Sequence, residues 1–354
     1  MVAHKVLILY NEPVLPGDHP DALSEHEILY TVDAVAATLA SAGYQVERLG
    51  ASYDPAALLD GLRRHRPDAV FNLFEGTADH GHTEAYAAGL MQWLGIPFTG
   101  SPFEALTVAR NKHWAKHLLR GAGLPTADFF VVEALPVPAS ALSWPVIVKP
   151  ALEDASVGVD QQSVVTNQQA LEERVAHVLR HYGAPVLVEQ FIPGREFSVG
   201  VIEAPDLRTL PVSEIVFLEK PGLWPIVTFD AKWKPGSEDY EATPPRYPAE
   251  VRPRLGERLA ALALEAFRLV GCRDYARVDF RVRPTGRPYI LEVNPNPDFS
   301  PDAGLSGGLG AAGLTHASFT VQLVKNALAR GQKSEVRARA PAREPATPSL
   351  ALGL

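Results

Sequence analysis

The chain has 354 residues, 46% hydrophobic and 21% charged, with a formal net charge of −8. That length is enough for two or three domains with substantial cores, and the negative balance argues against a nucleic-acid binder held by phosphate neutralisation while leaving room for a nucleotide. Cys272 is the only cysteine, which excludes an intrachain disulfide and a thiolate metal site and fits a reducing, cytoplasmic setting.

No stretch approaches 18 apolar residues, so no membrane span is expected. The run Val6 to Tyr10 is too short for a signal peptide and reads as a first core strand. Strand-like segments at 5–10, 44–49 and 68–74 alternate with helical periodicity at 24–42 and 54–65. This β-α-β-α-β order implies a parallel sheet covered by helices. Ser24-Glu25-His26-Glu27 fits a capping box, which employs Ser24 and Glu27 and leaves Glu25 free at the helix mouth. Helices follow at 83–94 and 102–122, the second broken near 109–111.

Beyond a Pro-rich connector at 136–145 the pattern changes. Strands are expected at 127–133, 145–149, 162–165, 185–191 and 196–203, with a helix at 168–182. Segments 210–218 and 225–233 read as β-rich, 234–248 as a polar loop and 250–270 as a long helix. Two more strands, 276–280 and 288–293, precede a last helix near 309–331. The Arg-, Ala- and Pro-rich stretch 334–354 reads as a disordered tail. The division expected is 1–108, 109–203, 204–333 and that tail.

The two late strands carry the chemistry. In Ala276-Arg277-Val278-Asp279-Phe280 alternation puts Arg277 and Asp279 on one face, and Glu292 and Asn294 are likewise two apart. Side by side, the strands would gather two carboxylates and a carboxamide. Carboxylates ~4 Å apart repel by roughly 4 kcal/mol at an effective dielectric near 20, so the arrangement calls for a cation. All-oxygen ligation suits Mg²⁺ sharing its remaining positions with phosphates. The alternative is a pair of surface carboxylates on separate hairpin arms.

Other segments add weaker signals. Lys149 ends a buried strand and must meet either an anion or solvent. The loop Glu153-Asp154-Ala155-Ser156-Val157-Gly158 is small enough to fold its N–H groups over phosphates. Glu189 and Glu196 flank a strand-turn-strand hinge that either meets a purine edge and ribose hydroxyls or is a plain hairpin. Lys112, at a helix start, and Lys232 each face phosphate or solvent. His80 and His82 lack a third ligand at zinc spacing. Glycines 304–313 lack the preceding strand of a dinucleotide fingerprint.

In this order the segments resemble the ATP-grasp superfamily, and within it the D-alanine–D-alanine ligases and related carboxylate–amine ligases. The resemblance rests on Leu94-Gly-Ile-Pro-Phe-Thr-Gly-Ser101, Lys112 to Pro125, Pro145 to Pro150, Ala155 to Gly158, Val188-Glu189, Glu196 to Val199, Ala231-Lys232, Arg277-Val-Asp279 and Leu291-Glu-Val-Asn294. It implies an α/β (α+β) ATP-grasp fold with an N-terminal, Rossmann-like parallel-sheet domain. It further implies that Lys112, Lys149 and Lys232 contact nucleotide phosphates, with Ser156 and Val157 in the covering loop. Glu189 would meet adenine and Glu196 ribose. Asp279, Glu292 and Asn294 would hold Mg²⁺, one or two ions, with Mn²⁺ as an alternative. Arg277 would stabilise the oxyanion and Glu25 meet a substrate ammonium. The implied activity joins two amino acids through an acylphosphate at the expense of ATP. The alternatives are a ligase for other amino acids, peptides or small carboxylates, and a non-catalytic ATP-binding module. The partners expected are small amino-acid or peptide substrates and a second subunit in a homodimer, without nucleic acid or membrane. The chain departs from the family at Ala155, where a serine is usual, at Trp233, where a tyrosine is usual, and over Pro295 to Asp302. The nucleotide half therefore reads as intact and the amino-acid half as remodelled.

Overall fold

The N-terminal unit comprises β1 (Lys5–Asn11), α1 (Ala22–Ser41), β2 (Gln45–Ala51), α2 (Pro55–His65) and β3 (Ala69–Leu73). All three strands are parallel, in the order β2-β1-β3. This is a computed structural model describing residues 3–13, 22–77 and 81–339, except the side chains of 22–27 and 333–339. Val6, Leu7, Ile8 and Leu9 are wholly buried, as a central parallel strand must be when helices cover both faces. Val6 and Ile8 pack with Val32, Val35 and Leu39, whereas Leu7 and Leu9 face Leu58, Leu62 and Met91. Asp54 caps α2, its carboxylate accepting the Ala56 N–H at 2.9 Å. Helix α1 begins at Ala22, ahead of Ser24; the side chains of Ser24, Glu25 and Glu27 lie outside the described residues.

Three helices lead onward: α3 (Thr83–Trp93), α4 (Phe103–Arg110) and α5 (Lys112–Gly121). The expected break falls at Asn111, whose φ of −80° and ψ of 83° are not helical. The Lys112 N–H donates to the Ala151 carbonyl at 3.1 Å, so the start of α5 is tied to the chain just past the strand that carries Lys149.

The second sheet contains β4 (Phe129–Val132), β5 (Val146–Pro150), β6 (Val164–Val165) and β7 (Val186–Gln190), with α6 (Gln168–Tyr182) between β6 and β7. Its order is β4-β7-β5-β6, and Leu171, Val175 and Val178 of α6 seal one face.

The third sheet begins with β8 (Arg195–Glu203), β9 (Leu207–Thr209) and β10 (Ser213–Ile215). After α7 (Phe229–Trp233) and α8 (Glu238–Glu241) come β11 (Pro245–Arg246), α9 (Pro253–Val270), β12 (Tyr275–Val282) and β13 (Pro288–Asn294). The order is β11-β10-β8-β12-β13, with β9 on β8. Thus β8, which the expected division at 203/204 leaves in the central unit, hydrogen-bonds into this sheet. Pro253 at its first turn starts α9 later than 250, and Leu259, Leu262, Ala263, Ala266, Phe267 and Val270 form its buried stripe.

Five expectations need correction. Segment 225–233, read as β-rich from its Ile-Val-Thr-Phe run, ends in helix α7: Thr228 Oγ1 accepts the Ala231 N–H at 3.1 Å, and the Phe229 N–H goes to the Val159 carbonyl. A local cap and a tertiary partner outweigh strand propensity there. Within 210–218 only β10 is a strand, and the loop 234–248 contains α8 and β11. The last helix is two, α10 (Gly304–Ala311) and α11 (His316–Arg339), so the glycine-rich run is largely helical. Because α11 continues to Arg339, the beginning of the expected tail is helical; residues 340–354 lie outside the described residues.

One buried joint orders the N-terminal unit against the third sheet. Asp274, fully buried, receives two 2.8 Å bonds from Arg330 and one from the Gly100 N–H at 2.8 Å. No helix among the described residues is long and apolar enough to cross a membrane.

Candidate active site

Strands β12 and β13 are antiparallel neighbours in which Asp279 lies opposite Glu292 and Arg277 opposite Asn294. Period-two alternation puts all four on one face, as the sequence spacing predicts. Arg277 grips Asp279 through Nε to Oδ1 at 2.8 Å and Nη2 to Oδ2 at 2.9 Å. Asn294 Oδ1 accepts the Asn296 N–H at 3.0 Å. Burial works against the charge on Glu292, but Lys112, Lys232, Lys149 and Arg277 outweigh it and hold the carboxyl down at about 2. Two carboxylates and a carboxamide form a hard, all-oxygen donor set that fits Mg²⁺. Of the histidine pair, His80 lies outside the described residues, among which no group of three His, Cys, Asp or Glu is placed to hold a metal.

Facing this strand pair is a second charged group on β5, β7 and α5. Glu189, 1% exposed, lies between two lysines, with Oε1 2.6 Å from Lys116 Nζ and Oε2 2.9 Å from Lys149 Nζ. The Lys149 contact has ion-pair distance without hydrogen-bond geometry, so Oε2 remains a buried acceptor lacking a well-directed donor. An acceptor of that kind fits an exocyclic amine. Burial would raise the Glu189 carboxyl, but Lys116 and Lys149 hold it below the usual range. Lys116 also contacts Thr126 Oγ1 at 2.6 Å. Glu196 pairs with Arg281 at 3.2 Å; burial and, more weakly, Asp279 raise its carboxyl against that pairing. Lys232, in the last turn of α7, is exposed. Desolvation and Arg277 push its ammonium down, while Glu292, Asp279 and Glu196 oppose them.

Between the two groups lies the small-residue loop. Its Ser156 hydroxyl donates to the Val227 carbonyl at 3.0 Å, and the Val157 N–H donates to Asp154 O at 3.0 Å. The Trp233 indole donates to the Ala155 carbonyl at 3.1 Å. The two departures from the family pattern thus meet each other, through a backbone acceptor and a donor-only ring. Lys112 Nζ contacts Asp154 Oδ1 at 2.7 Å and lies 3.8 Å from Glu292 Oε2.

A further acidic corner was not read from the sequence. Glu84, 8% exposed at the start of α3, accepts from Asn296 Nδ2 at 2.7 Å. Burial first, with help from Glu75 and Asp154 and against Asn296 and Arg110, raises its carboxyl to about 8. Glu75 is raised to about 7 by the surrounding protein and by Asp298. Lys116, Arg110 and Arg281 were missed as well. Lys116 had a signal, since it lies four residues after Lys112 on one helical face; Glu84 is an isolated acid with no such signal.

The C-terminal family model of the D-ala D-ala ligases matches residues 118–325. The D-alanine–D-alanine ligase of Gluconobacter oxydans is 33% identical over 85% of this chain and 94% of its own length. That of Desulforudis audaxviator is 33% identical over 84% and 92%. Among solved structures, the D-alanine–D-alanine ligase of Bacillus anthracis complexed with ATP superposes with a TM-score of 0.74 at 19% identity, covering 94% of this chain and all of that one. The shared ATP-grasp fold, the matched C-terminal region and the identity over most of the chain establish that it belongs to the D-alanine–D-alanine ligase family.

Proposed function

We propose that this protein is an ATP-dependent carboxylate–amine ligase that forms a peptide bond through an acylphosphate. The observation carrying this reading is the Arg277, Asp279, Glu292 and Asn294 face set against Lys112, Lys149 and Lys232. A substrate carboxylate would take the γ-phosphoryl group of ATP, releasing ADP. An amine would then attack the acyl carbon and phosphate would leave. Lys112, Lys149 and Lys232 supply fixed positive charge for the phosphates, and Glu189 an acceptor for adenine. Glu196 is assigned to ribose. Asp279, Glu292 and Asn294 would hold Mg²⁺, which when bound neutralises charge on the transferring phosphoryl group. Asp279 engages the Nε and Nη2 edge of Arg277, which leaves Nη1 for the oxyanion that develops on the acyl carbon. Glu25 is assigned to a substrate ammonium. A bare ATP-binding module would have no use for such a guanidinium.

The substrate pair is the open choice within this reading. D-alanine for both positions follows the names of the relatives. The Trp233–Ala155 contact, the buried Glu84 and the neighbouring Glu75 favour a different amino acid or a small peptide at one position. The reading also includes a homodimer and a cytoplasmic location, without nucleic-acid or membrane partners. The test is Mg²⁺-dependent ADP release across D- and L-amino acids and dipeptides, with products identified by mass. Turnover with D-alanine alone, giving its dipeptide, assigns the cell-wall reaction. Turnover only with another pair keeps the chemistry and changes the substrate. ATP binding without turnover anywhere in the panel removes the amino-acid ligase.

A further inference from the structure

We infer that Arg110 and Lys112 together form a seat for the terminal phosphate of ATP, and that the loop carboxylate Asp154 holds this seat until nucleotide displaces it. The inference rests on the ATP-dependent reading above and adds to it Arg110, a residue outside the motifs. The two cations stand on either side of the helix break at Asn111. One carboxylate bridges them: Asp154 Oδ1 is 2.7 Å from Lys112 Nζ, and Oδ2 is 3.1 Å from Arg110 Nη1. Two anionic oxygens spread over an ammonium and a guanidinium reproduce the way two oxygens of a phosphate are bound. The seat lies beside the metal face, with Lys112 Nζ 3.8 Å from Glu292 Oε2. Lys112 also donates to the Glu153 carbonyl at 2.6 Å.

Arg110 is built into this place. Its side chain is 15% exposed and lies against Gly81, where a Cβ would collide with its guanidinium. Asp154 differs: its side chain is 49% exposed. The loop that bears it has other anchors, the Trp233 and Ser156 bonds, which do not involve its carboxylate. Asp154 can therefore leave the seat while the loop stays over the cleft. A terminal phosphate carries more charge than a carboxylate and competes for the same two donors.

The test is titration calorimetry of the full chain with Mg²⁺ and AMP-PNP, and with AMP, which lacks the terminal phosphates. Thermal melting confirms that each variant is folded. Asp154→Asn should bind AMP-PNP about fivefold more tightly, the worth of one partly exposed ion pair. Arg110→Met should bind it about fivefold or more weakly, and Gly81→Ala, which displaces the guanidinium, should follow Arg110→Met. AMP affinity should stay unchanged in all three. Weaker AMP-PNP binding by Asp154→Asn would make Asp154 a structural clasp and overturn the displacement. Unchanged binding by Arg110→Met would remove Arg110 from the seat. A wild-type protein that binds neither nucleotide would overturn the ATP reading beneath, an outcome distinct from both.

Discussion

At the β5–β7 end of the cleft Glu189 is buried between Lys116 and Lys149, and its charge is compensated before any ligand arrives. At the α3 end Glu84 and Glu75 are raised to about 8 and about 7, with the Asn296 hydrogen bond and, more weakly, Arg110 offsetting part of the effect at Glu84. One end is pre-organised with opposite charges in contact. The other keeps two acids with raised carboxyls, of which Glu84 favours a proton at neutral pH, and both would ionise more readily beside a cation. The first lies in segments that carry the resemblance to the family. The second coincides with the segments that depart from them. A phosphate-handling site admits few solutions, because the charges it must balance are the same in every member. A pocket for the joined molecules is free to change.

The comparison is broken most severely at the strand face. Glu292→Gln should lower turnover by about 10³-fold while leaving the melting temperature near that of the wild type, since it removes a charge on which metal and phosphate chemistry depend. Full activity would take Glu292 out of the metal site. Arg277→Ala should lower turnover by roughly 10²–10³-fold while AMP-PNP affinity stays within about twofold, because the guanidinium acts on a charge present only in the transition state. A parallel loss of nucleotide affinity would make it a binding residue instead.

Stability measurements sharpen the contrast. Lys116→Met leaves Glu189 with Lys149 alone, and breaking a buried pair of this kind should cost roughly 3 kcal/mol in urea unfolding. A neutral result would show that Lys149 suffices. Glu84→Gln should do the opposite. Between about pH 4.5 and about pH 8 the folded protein keeps a proton on Glu84 that the unfolded chain has released, so wild-type stability falls as pH rises through this window. Glutamine keeps an acceptor for Asn296 without the charge. The variant should therefore gain on the wild type by ~1.4 kcal/mol per pH unit across that window and level off above it. Parallel stability curves would mean that Glu84 ionises at its ordinary pH.

Much of the architecture was legible because local rules and tertiary outcome agree. The helix at 168–182 was read to the residue, with Asn167 accepting from the Ala170 N–H as its cap. The break inside 102–122 fell at Asn111. The shared face of Arg277, Asp279, Glu292 and Asn294 was legible because strand alternation is a local property. The segment before Trp233 was not, since Ile226 to Phe229 has strand propensity, yet a helix begins at Phe229, whose N–H meets a partner 70 residues away, Val159.

From the order of the residues alone came the parallel N-terminal sheet, the ATP-grasp resemblance, the one face shared by Arg277, Asp279, Glu292 and Asn294, and the positions where the chain departs from the family pattern. Each is set by side-chain type and by spacing within a few residues. Tertiary structure alone decided that Glu189 is held between Lys116 and Lys149, that Trp233 bonds to Ala155, that Asp154 bridges Arg110 and Lys112, and that Glu84 reaches Asn296. These pairs span 40 to more than 200 residues of chain. No local rule relates such partners, because the packing of whole elements determines which charges share a buried space and which must be balanced there.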